Sequence, residues 1–92
     1  MFEWDEDKNE ENRQKHRVSF EKARQTFFDP HRIIAKDAAH SSAEERWFFF
    51  GEVDGGILTV RFTLRNGMTR IFGAGYWRKG KKYYEEKNRI HR

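Results

Sequence analysis

The apolar positions change period along the chain, and the change divides it in two. From Asp5 to Arg17 every residue is polar, leaving no apolar face by which a helix could dock. The spacing of Asp5, Lys8, Asn12, Lys15 and His16 still puts a polar stripe on one side of a helix. Such a helix must be held by its ends and by polar contacts. Asp5 suits the N-cap, and Glu6 and Asp7 lie near the positive end of the helix dipole. Ahead of it, Phe2–Trp4 predicts a short strand. Val18, Phe20, Ala23 and Phe27 follow at helical spacing, with Ser19 as N-cap and Asp29-Pro30 as the stop, so a second helix supplies core. Between residues 30 and 45 the pattern weakens: Arg32–Ala35 predicts a strand and Asp37–Ser42 a loop.

Beyond Arg46 the period falls to two. Trp47–Val53, Ile57–Leu64 and Met68–Ala74 are β-branched and aromatic runs, separated by Asp54-Gly55-Gly56 and Asn66-Gly67, both favourable to tight hairpins. In the middle run Leu58, Val60, Phe62 and Leu64 alternate with Thr59, Arg61, Thr63 and Arg65. One face therefore meets the helices, and the other is polar and open for binding. Gly73, Gly75 and Gly80 interrupt the chain around Tyr76–Lys79, and Lys81–Arg89 predicts a short last helix. The fold expected is one α+β domain over residues 1–92, with N-terminal helices packed on an antiparallel sheet of three or four strands and a short C-terminal helix.

Composition narrows the chemistry. At 92 residues, with 36% hydrophobic and 37% charged, the chain holds one small core, and its 15 Phe, Trp and Tyr residues must dominate it. The absence of cysteine excludes disulfides, thiolate metal sites and Cys nucleophiles, and fits a reducing, cytoplasmic setting. No apolar run approaches the roughly 20 residues of a membrane span, and the start of the chain is acidic where a signal peptide is basic. No membrane partner is expected. The net charge of +4 is unevenly spread: residues 1–29 and 30–60 each sum to −2, whereas residues 61–92 carry ten Lys/Arg against Glu85 and Glu86. A local positive field beside aromatic rings suits a polyanion such as nucleic acid.

No phosphate-binding glycine loop with a Lys-Ser/Thr pair occurs, nor any Gly-x-Ser-x-Gly, so nucleotide hydrolysis and serine-hydrolase chemistry have no support. His16, His31, His40 and His91 show no metal-ligand spacing, so no metal and no cofactor are expected. What remains is a cationic and aromatic set: Lys15, His16, Arg46, Arg61, Arg70, Arg78 and Lys79 with Tyr76, Trp77, Tyr83 and Tyr84. RNA carries its own nucleophile in the 2′-OH. A protein can cleave it without metal if one group takes the 2′ proton, another protonates the 5′ oxygen and cations stabilise the phosphate. Each candidate also has a purely structural alternative: His16 as a helix end, Arg61 as a partner of Glu45 or Glu52, and Tyr83 or Tyr84 as packing.

Phe2-Glu3-Trp4-Asp5, Lys8, Asn12 and Lys15-His16 form one linked pattern, followed by Val18-Ser19-Phe20-Glu21-Lys22-Ala23, Phe28-Asp29-Pro30 and Glu45-Arg46. With the Arg70-Ile71 strand, the basic segment after it and Tyr84-Glu85, these residues resemble the BrnT toxin family. The resemblance implies a RelE-like fold and a ribonuclease toxin of a type II toxin–antitoxin pair, which cleaves messenger RNA and arrests growth. It implies a BrnA-type antitoxin as partner, with promoter DNA reached only through that antitoxin. On this reading Lys15, His16, Arg61, Arg70 and Tyr84 are the catalytic candidates: the two arginines hold the phosphate, and Lys15, His16 or a tyrosine moves protons. Arg46, Tyr76, Trp77, Arg78 and Lys79 are the RNA-binding candidates. The alternative is a non-catalytic basic nucleic-acid-binding module. Two positions depart from the family pattern: Arg17 stands where Gly usually follows Lys-His, and Gly73-Ala74-Gly75 stands where many relatives carry Ser-Ala-Arg. The first must strain or replace a left-handed helix end, and the second removes a phosphate ligand for which Tyr76–Lys79 could substitute.

Overall fold

The computed structural model describes residues 1–89. Along it run β1 (Phe2–Glu3), α1 (Glu6–His16), α2 (Phe20–Ala23) with a 3-10 turn over Arg24–Phe28, and β2 (Ile33–Lys36). A 3-10 turn at Ala38–His40 leads to β3 (Arg46–Val53), β4 (Gly56–Arg65), β5 (Met68–Gly75) and α3 (Arg78–Lys87). Two Asx-Gly turns shape the centre. Asp54 and Gly55 have φ of 54° and 82°, and Asn66 and Gly67 have 53° and 77°, the paired positive values of turns that match strand twist. They fold β3, β4 and β5 into an antiparallel meander.

The sheet has five strands in the order β1-β5-β4-β3-β2 and is mixed, where three or four antiparallel strands were expected. β2 adds antiparallel to β3, and the two residues of β1 add parallel to β5, pairing Phe2 with Thr69 and Glu3 with Arg70. Both edges fall where the pattern predicts short strands, but an edge of two residues with no local turn gives no sign of the strand it joins or of its direction.

The polar first helix docks as its sequence requires. Asp5 Oδ1 accepts from the N–H groups of Asp7 and Lys8. Asn12, buried, donates to the carbonyls of Val18 and Ala74 and accepts from the Ala74 N–H. Asn9 Oδ1 accepts from the Phe20 N–H, so two amides replace an apolar stripe. The second helix is shorter than expected, since after Ala23 it tightens to 3-10 geometry before Asp29. Its Ser19 cap accepts from Lys22 N–H.

The main core lies on the helix side of the sheet, where Val18, Phe20 and Ala23 meet Phe49, Leu58, Val60, Phe62, Ile71 and Ala74. A smaller cluster of Phe50, Ile57 and Tyr84 lies on the other side under α3. That helix begins at Arg78, three residues earlier than expected, because Gly80 is part of it rather than a break. Gly80 is buried against Thr59 and Phe50, where a Cβ would collide with Thr59 Oγ1. The polar face of the sheet is therefore only half open: α3 covers the Thr59 end and leaves the Arg61 end exposed. Leu64, assigned by alternation to the helix side, ends β4 beyond the core and is mostly exposed.

Candidate active site

At the uncovered end of the sheet, α1 and the start of α3 wall a cleft of about 180 Å³ lined by Lys8, Glu11, Asn12, Lys15, His16, Arg61, Phe72, Gly73 and Trp77. The helix pattern explains the first wall. Lys8, Glu11 or Asn12, and Lys15 recur at steps of three and four, so they point the same way while Asn12 anchors the helix to β5. His16 closes the helix, and its ring meets the Trp77 indole edge-to-face at 5.1 Å between centroids.

The glycines of β5 make the floor. A Cβ on Gly73 would meet the Arg61 side chain at 3.4 Å, and one on Gly75 would overlap the Trp77 ring. Gly75 must lack a side chain for Trp77 to seat over it, whereas a Cβ on Gly73 would stand in ordinary contact with the Arg61 stem. The glycine at position 75 thus admits the indole that walls the cleft.

A second, tighter cleft of about 90 Å³ adjoins the first and shares Lys8 and Phe72 with it. Asp5, Glu44, Arg46, Thr63, Arg65, Arg70 and Ile71 complete its wall. Its arginines are not equivalent. Arg65 Nη2 pairs with Glu44 at 3.1 Å, and Arg70 Nη1 with Glu3 at 3.2 Å, across the β1–β5 register. Arg46 and Arg61 instead lie over the Phe72 ring, with Cζ at 4.8 and 5.1 Å from its centroid. Arg61 pairs with neither Glu45 nor Glu52 among the described residues. Glu45 pairs with Lys36 at 3.2 Å.

The helix end beyond the cleft adds to the field. Trp77 caps α3 without a side-chain hydrogen bond, and Arg78 and Lys79 occupy the first turn. Cations at the positive end of a helix are unfavourable on their own and become favourable beside a bound anion.

The sequence candidates separate clearly. Lys15, His16, Arg61 and Trp77 share the first cleft; Arg46 and Arg70 lie in the second. Arg78 and Lys79 are exposed near the rim and line neither. Two tyrosines are elsewhere. Tyr84, expected at the site, is 3% exposed, and its hydroxyl donates to Asp29 Oδ2 at 2.6 Å, so packing under the sheet removes it from the groove. Tyr76 turns to the β3–β4 hairpin, where its hydroxyl donates to the Val53 carbonyl and its ring covers Gly56. Phe72 and Glu11 were missed. The helical stripe that picked out Asn12 also contains Glu11, whereas nothing in the alternation of β5 distinguishes Phe72 from a core residue.

A wider cleft of about 650 Å³ lies beside the β3–β4 turn between Phe28, Asp29, Glu52 and Asp54. Its acidic wall repels phosphate. Asp29 itself is committed to structure: burial pushes its carboxyl up, but bonds from the Tyr84 hydroxyl and the N–H groups of Glu52 and His31 outweigh this and hold it below the usual range. His40 bonds Asp37 at 3.0 Å, and His91 lies outside the described residues. No helix among the described residues is long and apolar enough to cross a membrane.

Residues 4–80 match the family model described as "Ribonuclease toxin, BrnT, of type II toxin-antitoxin system". The match spans both clefts and stops before Tyr84-Glu85. No curated protein matches the chain.

Proposed function

The chain belongs to the BrnT family of type II toxin–antitoxin ribonuclease toxins, and from that premise we propose that it is a metal-independent endoribonuclease acting through the RNA 2′-OH. The observation that carries this reading is the meeting of Lys15, His16, Arg61 and Trp77 in one cleft. The phosphate of the cleaved linkage lies against Arg61, whose fork of donors stabilises the charge that builds on the non-bridging oxygens. Lys15 and His16 are the proton carriers at the cleft. One takes the 2′ proton as the 2′ oxygen bonds to phosphorus. The bond from phosphorus to the 5′ oxygen breaks, and the other supplies that oxygen with a proton. The products are a 2′,3′-cyclic phosphate and a 5′-hydroxyl. Trp77 offers a base a stacking surface, and Arg78 and Lys79 draw the strand toward the helix end. Arg70, already matched by Glu3, orients the second cleft rather than holding the reacting phosphate.

In the cell such an enzyme cuts messenger RNA in the cytoplasm and stops translation and growth. We assign its neutralising partner to the BrnA type, with contact to promoter DNA made by that antitoxin alone. An exposed basic groove needs shielding, so the antitoxin covers Arg61 or its rim. The RelE-like arrangement belongs to the same proposal, supported by helices packed on an antiparallel meander with a basic open face.

The test is growth and RNA integrity after induced expression of the wild type, Arg61→Ala and His16→Ala, each checked for folding by circular dichroism. Arrest and RNA loss in the wild type, relieved in the folded variants, support the enzyme. Continued growth with intact RNA and salt-dependent RNA binding favours a non-catalytic binding module.

A further inference from the structure

The uncovered end of the sheet carries four arginines, and they form two classes. Arg65 and Arg70 are each matched by a carboxylate, Glu44 and Glu3. Arg46 and Arg61 form no ion pair among the described residues, and both lie on the same ring, that of Phe72. The ring lies at an irregularity in the ladder. Arg61 faces Gly73 while Phe62 faces Ile71, so Phe72 is the extra residue of a bulge between β4 and β5. The extra residue leaves Phe72 without a partner across the ladder, and its ring lies on the polar face between the two clefts.

We propose that Arg46 is a second phosphate subsite, and that Phe72 fixes its distance from Arg61 so that one RNA strand is gripped at two neighbouring phosphates. This rests on the reading above, in which Arg61 holds the reacting phosphate. With both guanidiniums on one ring, their central carbons are at most about 10 Å apart. Successive phosphates of a single extended strand can bridge that span. An arginine free in solvent samples many rotamers. One held over an aromatic face is set before the substrate arrives, which strengthens binding by lowering the ordering cost. Arg46 carries an uncompensated charge, so a phosphate is the group it can take without displacing a carboxylate. Phe72 touches neither the reacting atoms nor the strand in this arrangement. It is a positioning residue.

The test uses an oligoribonucleotide with one mapped cleavage site, in which neutral methylphosphonate replaces each flanking phosphate in turn. In the wild type, one replacement next to the cleaved linkage should lower kcat/KM at least about tenfold, the scale of a lost charge-assisted hydrogen bond. In Arg46→Ala, already weakened on unmodified RNA, the same replacement should cost less than about twofold, since the phosphate has lost its partner. Phe72→Leu should shrink the position-specific penalty, and Phe72→Trp should restore it, because the face and not the bulk holds the cations. Arg46 is outside both cores, so its truncation keeps the test valid if Phe72→Leu fails to fold. A flat methylphosphonate scan, or an undiminished penalty in Arg46→Ala, overturns the subsite while leaving the ribonuclease intact. A wild type that cuts no RNA overturns the ribonuclease reading and the subsite with it.

Discussion

Replacing Arg17 by glycine should stabilise the protein, and the size of the gain follows from one backbone angle. Arg17 caps α1 at φ 60° and ψ 32°, with its N–H donating to the Arg13 carbonyl. A residue with a Cβ costs about 1–2 kcal/mol in this left-handed conformation. Glycine removes that strain but loses about 0.5–1 kcal/mol through greater freedom of the unfolded chain. The side chain of Arg17 is exposed and makes no ion pair among the described residues, so little else changes. The net gain is about 0–1.5 kcal/mol, centred near about 0.75 kcal/mol, where it raises Tm by about 3–6 °C for a domain of this size. The assay is thermal unfolding by circular dichroism of Arg17→Gly beside Arg17→Ala, both in an Arg61→Ala background that a host should tolerate. Alanine keeps the Cβ and therefore the strain. A glycine variant no more stable than the alanine variant would refute the strain argument.

Two further outcomes follow from the buried end of the sheet. Asp29 has a folded pKa below its unfolded one, so its contribution is complete above the ordinary value near about 3.9 and is lost as pH falls through the lower folded value. Tyr84→Phe removes a hydrogen bond to that charge and should cost about 1–2 kcal/mol at neutral pH, with the gap to wild type narrowing in urea unfolding as pH falls below the ordinary carboxylate range; a gap independent of pH counts against this account. Gly80→Ala should destabilise by about 1–3 kcal/mol because a methyl would enter the space of Thr59 Oγ1, and unchanged denaturation midpoints would show that α3 is not seated as described.

Local chemistry was legible where one or two residues decide the outcome. Asp5 and Ser19 cap helices, and Asp54-Gly55 and Asn66-Gly67 turn hairpins, because each acts within its own few residues. The polar stripe of α1 was legible too, although its division into anchoring amides and cleft-facing Lys8 and Lys15 depends on where β5 lies. What failed depends on distant partners. Gly80 reads as a helix breaker until Thr59 is beneath it, and Tyr84 reads as an available phenol until its hydroxyl is seen to donate to Asp29. Phe72 is the unpaired residue of a bulge that no local signal announces, so its place beside Arg46 and Arg61 is visible only once β4 and β5 are paired. β1 is legible as a short strand, but nothing near it in sequence shows that it joins β5 in parallel.

The central claim is that the groove cuts RNA by 2′-OH attack with Arg61 on the phosphate. It is tested most directly by the ends left on RNA treated with the purified protein in EDTA. The account predicts fragments ending in 2′,3′-cyclic phosphate and beginning with 5′-hydroxyl, absent with an Arg61→Ala variant that retains the wild-type circular dichroism spectrum. Intact RNA, 5′-phosphate ends, or undiminished cutting by Arg61→Ala would contradict it.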